Sequence, residues 1–138
     1  MKTSTASAAL LSLGLLTPSF AQVSFTRITE GEIVNTPGST WGCAWGDYDG
    51  DGYADLLVVN GALDLASYLY RNNRDGTFSR VLADNPIVLD QTDGSAGVWA
   101  DYDNDGYLDM LVTTWAQPNA LYVNQGSGLF ARITEGRI

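Results

Sequence analysis

Apolar positions along this chain fall in short bursts and not in helical stripes. Leu56-Leu57-Val58-Val59 and Met110-Leu111-Val112 are compact runs, each opened by an aspartate and closed by polar residues, and such runs read as buried strands. Residues 41–46 and 96–100 read as strands leading up to the same aspartates, and residues 67–71 and 120–123 as a third strand in each set. Tight turns follow at 72–76 and 124–128, rich in the Asn and Gly that tolerate positive φ. A fourth strand is expected from Phe78 and from Phe130.

The bursts repeat. Residues 47–55 read DYDGDGYAD and residues 101–109 read DYDNDGYLD, a spacing of 54 between Asp47 and Asp101. A second marker, Phe-x-Arg-Ile/Val, recurs at Phe25, Phe78 and Phe130 with separations of 53 and 52. Repeat one is placed at about 39–84 and repeat two at about 93–138, with residues 25–34 as an extra strand from a blade that is otherwise missing. The predicted fold is all-β: two four-stranded antiparallel β-propeller-type blades, a partial propeller preceded by a signal peptide.

Each acidic loop places Asp at positions 1, 3, 5 and 9 and Gly at position 6, the spacing of oxygen ligands that a hard divalent cation requires. Four carboxylates at ~4 Å repel by about 1 kcal/mol per pair in water and ~4 kcal/mol at an effective dielectric of 20, and a cation reverses that sign. The first site is expected to use Asp47, Asp49, Asp51, the Tyr53 carbonyl and Asp55; the second, Asp101, Asp103, Asp105, the Tyr107 carbonyl and Asp109. Two Ca2+ ions are expected, since magnesium prefers to keep its waters. An EF-hand would supply Glu at position 12, where this chain has Val58 and Val112, and would lie between helices.

Composition narrows the function. Lys2, the apolar run 6–16 and Ser19-Phe20-Ala21 read as a signal peptide over residues 1–21, cleaved after Ala21, so the region 22–138 is expected to be secreted or periplasmic without membrane insertion. The formal charge is -9, and half of the 16 acidic residues lie in the two loops. The arginines are scattered, which argues against nucleic acid. Cys43 is the single cysteine and is expected to be a small buried hydrophobe. There is no histidine for a nucleophile–base pair, and the reading is non-catalytic. Trp45 and Trp99 occupy the same place in the two repeats and are expected to pack between blades, whereas Trp41 and Trp115 align with Ser95 and Gly61 and are the better candidates for touching a ligand.

Trp45-Gly-Asp-Tyr-Asp-Gly-Asp-Gly-Tyr-Ala-Asp-Leu-Leu-Val-Val-Asn60, with Leu69-Tyr-Arg-Asn-Asn and Asp75-Gly-Thr-Phe78, resembles the FG-GAP or VCBS repeat of exported bacterial proteins with an ASPIC/UnbV domain, and more distantly the integrin α blades. The resemblance implies a β-propeller, calcium in the hairpin loops and a protein- or carbohydrate-binding or adhesion role for what reads as a fragment of a larger propeller. Exposed blade edges predict self-association. The rivals are a stand-alone dockerin-like docking module, whose loops would lead into helices, and a domain of a metal-dependent hydrolase.

Overall fold

The computed structural model describes residues 23–61, 65–126 and 128–135, so the expected signal peptide lies outside the described residues. Blade one is a meander of β1 (Thr40–Gly46), β2 (Asp55–Asn60), β3 (Tyr68–Asn72) and β4 (Phe78–Arg80); blade two is β5 (Gly94–Ala100), β6 (Asp109–Thr114), β7 (Ala120–Asn124) and β8 (Phe130–Ile133). Both sheets run in sequence order with antiparallel neighbours. Gly46 pairs with Asp55 and Ala100 with Asp109, so each acidic loop closes the first hairpin of its blade. Strands therefore flank both loops, which removes the helix-flanked docking module. Among the described residues no helix is long and apolar enough to cross a membrane.

The runs after each loop are buried because β2 and β6 are central strands. Leu57, Val59, Leu69, Met110, Val112 and Tyr122 form the main core, continuous from one blade into the other. Close approach depends on missing side chains. A Cβ on Gly97 would stand 2.5 Å from Leu57 Cδ2, and one on Gly46 would stand 2.6 Å from the Trp99 ring.

Two expectations are corrected. Residues 25–34 do not form a strand: 23–30 are irregular, and α1 (Glu32–Asn35) makes one helical turn. A strand needs a neighbour for its backbone groups, and this segment instead lies against β4, where the Arg80 N–H donates to Glu32 Oε2 (2.8 Å). Its counterpart between the blades is α2 (Pro86–Leu89), which the strand pattern did not foresee; Asn85 caps it by accepting from the Ile87 N–H (3.0 Å), with Pro at the first turn. Cys43 is exposed. Alternation along β1 puts it on the same outer face as Trp45, which no blade covers among the described residues.

Candidate metal centres

The first loop is shaped by its own carboxylates. Asp47 accepts the Asp51 N–H at Oδ1 (2.9 Å) and the Gly52 N–H at Oδ2 (2.8 Å), folding the loop over its first residue. Gly52 has φ 88°, which a side chain would strain. Asp55 is fully buried and ties the loop to the sheet: Oδ2 accepts the Tyr48 N–H (3.2 Å) and Oδ1 the Asn72 N–H (2.7 Å). Blade two repeats every one of these bonds. Asp101 accepts from the Asp105 and Gly106 N–H groups, and Asp109 from those of Tyr102 (2.9 Å) and Asn124 (2.8 Å).

This folding brings Asp47, Asp49 and Asp55 together with one carboxylate oxygen each, the three within 4.8 Å of one another, and Asp101, Asp103 and Asp109 likewise. Positions 1, 3 and 9 converge. Asp51 and Asp105 lie outside these triads: each accepts the N–H two residues on, from Tyr53 (3.0 Å) and Tyr107 (2.9 Å). The rings of Tyr53 and Tyr107 are exposed.

The donor set fits a cation. Asp49 Oδ1 is buried and has no hydrogen-bond partner, a carboxylate oxygen left facing other carboxylates. Burial first, and then the charges of Asp105, Asp109 and Asp101, raise the Asp103 carboxyl above its ordinary value. A bound dication would relieve both.

Sequence reasoning missed the arginines of site one. Arg71 Nε meets Asp49 Oδ2 at 2.6 Å, and Arg74 Nη2 meets Asp51 Oδ2 at 2.7 Å. The hydrogen bond from Arg74 holds the Asp51 carboxyl below the usual range. Val123 and Gly126 stand at these two places in blade two, so aligning the repeats beyond the loops would have revealed the difference. The same alignment marks Asn72 and Asn124, whose side-chain amides donate to the Ala54 carbonyl (3.0 Å) and the Leu108 carbonyl (3.1 Å) at the end of each loop.

Burial pushes the Asp55 carboxyl up to about 6, with Asp49 adding to the rise and the Asn72 and Tyr48 N–H groups opposing it. The metal-free folded state thus holds a proton that the unfolded chain releases between about pH 4 and pH 6. Metal-free stability is expected to fall as pH rises through that window, by roughly 3 kcal/mol. Asp51 and Asp75, both held low by hydrogen bonds, act below the window. A calcium ion held there would need the ionised carboxylate, so stabilisation by it would be lost as pH falls through about 6. Melts at pH 5 and pH 7.5 should rank oppositely in chelator and in calcium; the same ranking in both would remove Asp55 as the controlling group.

The tryptophans divide as the blade packing dictates. Trp99 lies between the blades: its ring stacks on Tyr48 (centroids 6.2 Å apart), and its Nε1–H donates to the Ala44 carbonyl (3.3 Å). Trp45 is 58 % exposed and touches Phe78 edge-on. Trp41 and Trp115, from different blades, meet at 5.7 Å in a T-shaped pair over Gly61.

No curated protein and no solved structure matches the chain. A family profile described as FG-GAP-like repeat matches residues 21–58 and 59–112, each match carrying one acidic loop. With two such matches over most of its length, and two four-stranded blades that each hold the acidic hairpin, the chain belongs to the FG-GAP-like repeat family.

Proposed function

We propose that this chain is a non-catalytic, calcium-binding propeller-type module of an exported protein, serving protein or carbohydrate binding. The observation that carries the reading is the pair of equivalent aspartate triads, one per blade, each built on a loop already held by its own backbone. Asp47, Asp49 and Asp55 would hold one ion and Asp101, Asp103 and Asp109 the other. Calcium there would supply structural cross-linking of loop to sheet. Asp51, Asp105 and the carbonyls of Tyr53 and Tyr107 complete the proposed shells. The absence of histidine and the occupation of the acidic residues by loop folding favour binding over catalysis.

The two ions should not bind alike. A doubly charged ion ~5 Å from one guanidinium is repelled by about 1.7 kcal/mol even at the dielectric of water, more than tenfold in affinity. Site one has Arg71 and Arg74 beside its carboxylates, and site two has no cation in their places. Calorimetric titration of the purified chain with calcium is expected to show two ions, the tighter at site two, and a raised melt. At a hundred times the dissociation constant one site adds about 2.7 kcal/mol. No binding heat and an unmoved melt would defeat the proposal; two equal sites would defeat the role given to the arginines.

A further inference from the structure

The contact between the two blades is built from parts that the repeat also places on the two outer faces. Two rings carry it. Trp99 of blade two sits in a recess of blade one above Gly46 and against Tyr48. Tyr48 in turn fills a slot of blade two, where a Cβ on Gly128 would stand 2.5 Å from its ring and Phe130 lies 6.1 Å away, alongside Ile87 and Val88. Tyr48 is left only 6 % exposed.

The repeat places the same parts on the two outer faces, unfilled. Trp45 corresponds to Trp99 and Tyr102 to Tyr48, and both are exposed, at 58 % and 50 %. The counterpart of the recess that receives Trp99 is an apolar hollow of about 170 Å³ on blade two, lined by Val98, Ala100, Leu111 and Leu121 beside Tyr102. The counterpart of the slot that receives Tyr48 is a hollow of about 300 Å³ on blade one, lined by Ile33, Val34, Gly76 and Phe78. Each outer face thus offers one projecting ring and one hollow, in the arrangement that is already mated inside the molecule. Half-exposed large rings next to matching apolar hollows mark an interaction surface.

We propose that a second copy of this chain docks head to tail on these faces, its Trp45 entering the blade-two hollow of the first copy while Tyr102 of the first enters the blade-one hollow of the second. The hydrogen bonds have counterparts too. Asn124 Nδ2 donates across the blades to the Tyr48 carbonyl (2.8 Å), and Asn72 stands ready to donate to the Tyr102 carbonyl of the neighbouring copy. Ala100 and Cys43 carry side chains where Gly46 and Gly97 have none, so the copies stand further apart than the blades within one chain. The contact joins unlike faces and therefore propagates until it closes. Rings of about four to eight blades would take two to four copies.

This docking does not depend on metal at the acidic loops. Light scattering of the purified chain at about 100 µM, in calcium-containing buffer, should give particles of two to four chain masses; a particle of one chain mass overturns the proposal. Trp45→Arg and Tyr102→Arg each remove one face from an exposed position, and each variant alone should be a monomer with an unchanged far-ultraviolet spectrum. Mixed together, the two variants still hold one good face each and should form a one-to-one dimer that grows no further. Assembly that survives in either variant, or a mixture that stays monomeric, overturns the head-to-tail pairing.

Discussion

Replacing Asp109 with alanine is expected to lower stability by about 2–5 kcal/mol and to reduce calcium uptake from two ions to one. The carboxylate is 1 % exposed and accepts two backbone N–H groups, from Tyr102 and Asn124. Alanine leaves both donors without a partner, at about 1–3 kcal/mol for each buried group. For a domain of this size a loss of about 3 kcal/mol moves the melt by roughly 10–20 °C. Asp109→Asn separates the two roles, since it retains an acceptor for one N–H but loses the charge. It should melt above Asp109→Ala in chelator while binding no second ion. Equal melts of wild type and Asp109→Ala in chelator would show that the carboxylate contributes nothing to the apo fold.

A tryptophan at one repeat position should matter in one blade and not in the other. Trp99→Ala removes a ring packed on Tyr48 and Phe130 at the junction of the blades, and is expected to cost about 2–4 kcal/mol. Trp45→Ala removes the same residue type from an exposed face and should change stability by less than about 0.5 kcal/mol when the chain is dilute enough to stay unassembled. Urea denaturation of both variants at low concentration makes the comparison. Similar losses would mean that the indole stabilises its own sheet and not the contact between sheets.

The strands were legible because β2 and β6 are central strands, each burying one face fully against the other blade and the second face in part, and so leave uninterrupted apolar runs, Leu56 to Val59 and Met110 to Val112, directly after an aspartate. The acidic loops were legible because their spacing is local, and Asp47, Asp49 and Asp55 do converge. What depended on neighbours was not. Residues 25–28, Phe-Thr-Arg-Ile, differ by one residue from Phe130-Ala-Arg-Ile133, yet only the second stretch is a strand, because only it lies beside β7. Cys43 has the composition of a core residue and the address of an outer face. Arg71 and Arg74 lie 22 and 23 residues from the loop carboxylates they meet, a distance over which spacing carries no signal until the sheet is folded.

The glycines at the junction of the blades make that surface unforgiving in a particular way. Gly46 and Gly97 already hold the smallest residue available, so every replacement there adds atoms and none is conservative. At Ala100 and Cys43, the equivalent places on the outer faces, residues can shrink as well as grow. Sequence drift would therefore be one-sided at the inner contact, where Gly46 and Gly97 admit no larger residue, whereas Ala100 and Cys43 can change size in either direction and so set how closely anything docks on the outer faces.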